Sequence, residues 1–473
     1  MPETPSPTAA IPPSARPAPS ALLSGPIIPT ILRLALPTVV VLVVQTFVGV
    51  AEAYFVGFLG TDALAGVALV FPVLMLMQMM SNGGIGGGVA SAVARALGAN
   101  RRADAEALLW HTIVLACGFG FVFAAAAIAG GPALYRAMGG EGPALAAALT
   151  YSNIVFAGSI PLWIVALLSA VLRGAGNVRV PALVTLAGAV ILIPLSPALI
   201  FGWGPIPRLG VAGGGAAVLI YYVLAALTLI GYLRSPNSPL LLRIVPLNAR
   251  LSGDILGVGL LSAIGTVQAN LTVTCVTGIV GGFGASAIAG FGIASRLDYL
   301  LIPLLFGLGT AVVTMVGVNV GADQMMRARR IAWLGAAVAF GFTESIGILA
   351  AVFPRAWLGL FSDDPAALAL GSRYLQTVGP AYGAIGIGMT LYFASQGAKR
   401  VVWPVLAGTA RMVVAALIGW LAVARFGASL STLFQIVALS AILFGAITAA
   451  AMLGGAWDRR SASLPLARPD PAE

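Results

Sequence analysis

Apolar runs of twenty residues or more follow one another along almost the whole chain, parted by short polar loops. A helix needs roughly 20 apolar residues to cross a bilayer. By that criterion the pattern predicts twelve spans: 28–57, 62–94, 107–130, 147–171, 180–203, 210–233, 255–280, 286–318, 331–353, 373–396, 402–424 and 429–453. The runs 62–94 and 286–318 exceed one crossing, so their helices should tilt or project beyond the membrane. The expected fold class is an all-α polytopic membrane protein.

Composition agrees: 59% of residues are hydrophobic and 8% charged, where a soluble domain has roughly a quarter charged. The apolar runs recur from end to end, which excludes a soluble enzyme on a single anchor. The net charge of +10 raises nucleic acid as a partner. The basic residues, all Arg except Lys399, sit mostly in short loops between runs, so the charge reports membrane topology and no nucleic-acid partner is expected. Counted by side, eighteen fall with the termini and five opposite (Arg136, Arg208, Arg355, Arg373 and Arg425). Arg95 and Arg173 are in the terminal-side group, and both termini should therefore be cytoplasmic. Residues 1–26 are rich in Pro, Ala and Ser, have no signal-peptide core, and read as a disordered tail; 455–473 form a second tail.

No enzyme signature stands out. Cys117 and Cys275 lie inside apolar runs, His111 is the only histidine, and there is no Walker A motif, HExxH or Ser/His/Asp arrangement. No catalytic residue, metal site or cofactor is expected.

The chain also repeats. "LGTDALAGVAL" from Leu59 resembles "FGASAIAGFGI" from Phe283, and "VARALGANRRADA" from Val93 resembles "MVGVNVGADQMMRARR" from Met315. "RGAGNVRVP" from Arg173 resembles "QGAKRVVWP" from Gln396. The offset is about 223 residues in all three. Two six-helix lobes follow, 27–240 and 241–454. Six spans per half make the copies parallel, related by a pseudo-two-fold axis along the membrane normal. Such repeats are typical of secondary transporters that rock about a central cavity.

"EAYFVGFLGTDALAGV" from Glu52, "ARALGANRRADAE", "LRGAGNVRVPAL", "ALIFGWGPIPRLGVAGGGAA" and "FGIASRLDYLLIPLLFGLGTAVVTMVGVNVGA" together resemble the MATE (multidrug and toxic compound extrusion) family, on its prokaryotic, DinF-like side. The resemblance covers about residues 28–453. It implies an inner-membrane antiporter that exchanges H+ or Na+ for small organic, often cationic, compounds. A monomer in the lipid bilayer is expected, with no cofactor beyond the coupling ion.

Glu52 lies in the first span, five to eight residues before its end. A charge there costs a few kcal/mol, so it should face the bundle interior or a wet cavity. Loss of water disfavours the charged carboxyl, which a proton or a cation then relieves. Glu52 is thus the candidate ion-coupling residue, and members of the family commonly carry Asp at this position. Two features depart from the family: Ser196 stands where some members carry a fifth-helix Asp, and the seventh span offers Gln268 and Asn270 but no acid. Cys275 is the repeat mate of Glu52.

Asp298 follows Arg296 in the eighth span, with Arg411 a possible partner, and Glu344 lies centrally in the ninth. Gln45, two turns before Glu52, and Asn82, before "GGIGGG", complete the polar cavity candidates; the glycines point to close helix packing. Phe47, Tyr54, Trp163, Tyr299 and Tyr392 are candidate substrate contacts, because aromatic faces hold large cations. Met75, Met77, Met79 and Met80 would add an adaptable surface. Two other functions fit a chain of this kind: a flippase for a lipid-linked or polar envelope precursor, and an uncoupled channel or membrane scaffold.

Overall fold

A computed structural model of the chain describes residues 19–204 and 207–458. Among the described residues ten helices are long and apolar enough to cross a membrane, a bent pair makes an eleventh, two shorter helices around a 3-10 turn stand at the tenth expected span, and no strand occurs. The first six are α1 (Ile27–Gly57), α2 (Thr61–Gly98), α3 (Arg102–Ala137), α4 (Gly142–Ala157 and Ser159–Gly174, bent by 49°), α5 (Arg179–Phe201) and α6 (Val211–Arg234). The second six are α7 (Ala249–Gly281), α8 (Ala285–Gly321), α9 (Met325–Val352), α10 (Pro365–Val378 and Tyr382–Gly397), α11 (Val402–Phe426) and α12 (Leu430–Leu453). The chain is a multi-pass membrane protein. Three of the spans start at a side-chain cap: Asn248 accepts from the Arg250 amide, Asp364 from Ala366 and Ala367, and Ser429 from Thr432.

Two helices break. The Tyr382–Gly397 part of α10 follows a 3-10 turn at Gly379–Ala381. In α2 the helix widens into a π turn over Met80–Ile85, which includes Asn82. The long α2 and α8, of 38 and 37 residues, pack their last turns on each other, and α8 is the most buried of the single-helix spans.

Residues 1–18 and 459–473, with most of both expected tails and with Arg16, Arg459, Arg460 and Arg468, lie outside the described residues. The rest of the first tail is ordered, contrary to expectation: Pro19–Ser24 forms a short helix, and the Leu22 carbonyl accepts from Asn319 Nδ2 at 3.0 Å. At the other end Asp458 pairs with Arg329. Both described ends therefore meet the α8–α9 connection, on one side of the bundle.

The core divides into two. One is built around Trp163, Phe156, Tyr135 and Leu167 of the first half, the other around Tyr382, Phe434, Leu375 and Ile331 of the second. The start of each half leans on the other: Ile31 and Leu34 of α1 join the second core, and Ile255 of α7 joins the first.

The lobes meet through reciprocal contacts, the mark of a two-fold axis. Ser91 Oγ on α2 donates to the carbonyl of Gln396 at the end of α10, and Thr314 Oγ1 on α8 donates to the carbonyl of Arg173 at the end of α4, at 2.9 Å. A Cβ on Gly98 would fall 2.0 Å from the Val318 carbonyl oxygen, and one on Gly321 2.2 Å from that of Arg95. Only glycine lets α2 and α8 approach so closely. Left-handed turn residues recur at matching positions too, Asn100 with Asp323 and Gly204 with Gly427. The "GGIGGG" stretch packs as expected, with Gly84 against Ala263 and Gly88 against Gly259 of α7.

Inter-lobe hydrogen bonds among the described residues occupy the terminal side of the bundle. Beyond mid-depth the last is Asn270 Nδ2 to Met79 Sδ, at 3.4 Å. Towards the opposite end Phe47, Tyr54 and Tyr299 are 70%, 63% and 54% exposed, and the inter-lobe hydrogen bonds among the described residues thus gather at the terminal side.

Candidate functional site

Glu52 sits about 8 Å from the end of α1, at about 1.5 Å per residue. It is half-buried, and Tyr151 Oη donates to its Oε1 at 2.6 Å. Tyr151 is a buried residue of α4. Gly214 of α6 leaves room on the other side, since a Cβ there would stand 3.7 Å from Oε1. Three helices of the first lobe thus enclose one carboxylate that has one protein donor and no cation partner. A hydrogen bond to a charged group is worth about 1.5–3 kcal/mol. The site can therefore hold a carboxylate and still exchange an ion at its free edge. Ser196, on α5, is buried, and its hydroxyl makes no hydrogen bond. It adds no second acid to Glu52.

The second lobe places a carboxylate differently. Asp298 on α8 accepts from Tyr374 Oη at 2.8 Å and from Tyr382 Oη. These tyrosines flank the break in α10. Glu344 holds that break, its Oε2 accepting the Gly383 amide at 2.8 Å. Glu344 is thus committed to capping the second part of α10. Arg296 does not face Asp298; it is exposed, with its guanidinium 5.2 Å from the centre of the Phe361 ring. Arg411 on α11 lies within electrostatic reach of Asp298 without forming an ion pair, 5.7 Å from the Phe444 ring centre.

Separate from these carboxylates, the first lobe holds a cavity bounded by α1, α2, α4, α5 and α6, with Phe306 of α8 closing one wall. Gln45 and Asn82 line it, with Gln78, Tyr221, Tyr222 and Arg173. Asn82 also donates to its own helix, to the Gln78 carbonyl at 3.1 Å. Gln268 binds Thr409 Oγ1 at 2.7 Å, tying α7 to α11 inside the second lobe. Asn270 donates to the Thr266 carbonyl at 2.9 Å as well as to Met79.

The aromatic candidates divide. Phe47, Tyr54 and Tyr299 are exposed. Trp163 is fully buried in the first core, stacked on Phe119 at 5.1 Å. Tyr392 is half-buried and donates to the Ser262 carbonyl at 3.0 Å, joining α10 to α7. Both are placed by packing rather than beside an open surface.

Sequence reasoning passed over four groups: Tyr151, the Tyr374/Tyr382 pair, Arg95 and Arg173. The tyrosines are polar groups inside spans, which was the available signal. Arg95 and Arg173 stand near helix ends and look like loop charges, yet both are buried. Arg95 Nη2 pairs with Asp254 Oδ2 at 2.8 Å, and Lys399 Nζ reaches the other oxygen of Asp254.

The MatE family model matches the chain twice, over residues 37–198 and 262–421, one match in each half at the spacing of the internal repeat. The chain belongs to the MatE family. It is similar to the "FAD transporter" of Shewanella oneidensis, 28% identical over 77% of this chain and 81% of that protein. It is also similar to the "Probable multidrug resistance protein NorM" of Thermotoga maritima, 26% identical over 91% of this chain and 93% of that protein. Among solved structures, a MATE in the bent conformation superposes with a TM-score of 0.85 at 22% identity, covering 94% of this chain and 99% of that one. The family, its repeat and its two-lobed fold make this chain a transporter of small organic compounds.

Proposed function

We propose that the protein is a secondary active antiporter of a bacterial inner membrane, exporting organic compounds in exchange for H+ or Na+, with Glu52 as the coupling carboxylate. The observation that carries this is the Glu52 site: a carboxylate inside a span, about 8 Å from its end at about 1.5 Å per residue, half-buried, with one phenol donor and no cation beside it among the described residues. A charge so placed is costly until it is neutralised, and its free oxygen is where a proton or cation docks. In this reading both termini are cytoplasmic, the lobes 27–240 and 241–454 rock against each other as a monomer, and the structure is open to the outside. An ion entering from outside binds Glu52, and substrate leaves outward. One charge moving through 100 mV supplies about 2.3 kcal/mol, worth roughly 50-fold in gradient. No cofactor beyond that ion is required.

The substrate class is not confined to cations, because the FAD named for the Shewanella relative carries phosphates. Reconstitution into proteoliposomes, with pH and Na+ gradients imposed one at a time over a panel of organic compounds, tests the proposal. Antiport predicts gradient-driven export and faster uptake into preloaded vesicles. Gradient-independent flux without such counterflow is the behaviour of a pore, and would reject it.

A further inference from the structure

The cavity of the first lobe contains a charge that the coupling reaction does not use. Arg173 is 92% buried by its 8% exposure and lines the cavity, yet its side chain makes no hydrogen bond and no ion pair, and its Nε is left without a partner. A buried guanidinium is ordinarily paired with a carboxylate, because an unpaired charge away from water is expensive. Among the described residues that line the cavity there is no Asp or Glu. Glu52 is engaged elsewhere, with Tyr151.

The repeat supplies an internal control. The matching residue of the second lobe is Gln396, and the two share the same backbone role, each carbonyl receiving a hydroxyl from the other lobe. Gln396 is neutral, and its amide is used, Nε2 donating to Ser262 Oγ at 3.1 Å and to the Gly83 carbonyl at 3.2 Å. The framework therefore needs no cation at this position. The first lobe has one, and leaves it facing a cavity.

We propose that this cavity, of about 60 Å³ and open on one side, binds an anionic oxygen group, a carboxylate or phosphate, on Arg173, with the organic part of the ligand projecting through the opening. Guanidinium matches both groups in a planar, two-point geometry. The amides of Gln45, Gln78 and Asn82 supply further donors at the cavity wall. The transported compounds then include anionic or zwitterionic molecules. This deepens the antiporter reading and depends on it only for its physiological meaning.

The test is calorimetric titration of the purified full chain in phosphatidylcholine nanodiscs with benzoate and with benzamide, which differ essentially in charge. Benzoate is expected to bind about tenfold more tightly or better, as a charge-assisted pair implies. Arg173→Gln should abolish the preference without lowering the melting temperature, because the charge it removes is unpaired. Ser169→Asp is a second variant that keeps the arginine. It places a carboxylate one turn before Arg173 on the same cavity wall, and should also abolish the preference. Benzoate binding tighter in dodecyl maltoside micelles, which carry no phosphate, than in the nanodiscs would identify a lipid phosphate as the occupant; equal binding would identify a soluble anion. Equal affinity for benzoate and benzamide, or a preference surviving in both variants, overturns the proposal. The titration needs no ion gradient, so loss of gradient-driven export with this preference intact would reject antiport alone.

Discussion

Asp254 makes the most buried of the inter-lobe ion pairs at the joined ends of the lobes, where Asp104 also receives Arg250 at 3.0 Å on the more exposed surface. Asp254 receives Arg95 of α2 at 2.8 Å and Lys399 after α10. The Arg95 side chain is 10% exposed and that of Asp254 27%. Removing one partner of a fully buried pair costs about 3–5 kcal/mol. Partial exposure of Asp254, and the Ser91 hydroxyl that remains on Arg95, reduce this to about 2 kcal/mol. Because Arg95 belongs to one lobe and Asp254 to the other, the loss falls on the state in which these ends are joined. Asp254→Asn should therefore shift the balance towards the oppositely closed state by about 30-fold. Spin labels at Glu141 and Asp363, in loops at the far end, read this as a pulsed electron-resonance distance distribution, with Cys117 and Cys275 replaced by Ser. A shorter distance should gain population in Asp254→Asn, and adding Arg95→Gln should restore part of the original balance by removing the stranded charge. An unchanged distribution in Asp254→Asn would refute the latch.

Glu344→Ala leaves the Gly383 amide without its acceptor and should destabilise by about 1–3 kcal/mol. Thermal melts should show the loss, with Glu344→Gln recovering most of it through its carbonyl oxygen. Trp163→Ala should cost about 3–5 kcal/mol by opening a void beside Phe119, whereas Trp163→Phe should melt close to the parent; a harmless Trp163→Ala would remove it from the core. Tyr151 competes with the coupling ion for Glu52, so Tyr151→Phe should lower the ion concentration for half-maximal export by about tenfold, as loss of 1.4 kcal/mol implies.

The spans were legible because hydropathy marks membrane helices directly: with no water in the bilayer core, a long apolar run has no alternative to the helix. The two-fold axis was legible in the repeats, and the structure returns it as reciprocal contacts, Ser91 with Gln396 and Thr314 with Arg173. The breaks were harder to read. The end of the 3-10 turn in α10 is fixed by Glu344, a residue on another helix, and no local pattern reports a distant cap. The site was legible as to which acids lie in the membrane, and not as to their partners. Tyr151 is ninety-nine positions from Glu52, so only folding brings them together. Arg173 was misplaced for a physical reason: a charge counted by position looks solvated at the end of a span, but α8 and the cavity close over this end and bury it.

The most direct test of the central claim is ion-driven export by Glu52→Gln in proteoliposomes, measured beside counterflow in the same preparation. The account predicts that substrate counterflow persists while accumulation driven by a pH or Na+ gradient disappears. Full gradient-driven export by Glu52→Gln, at the parent's rate and steady state, would contradict it.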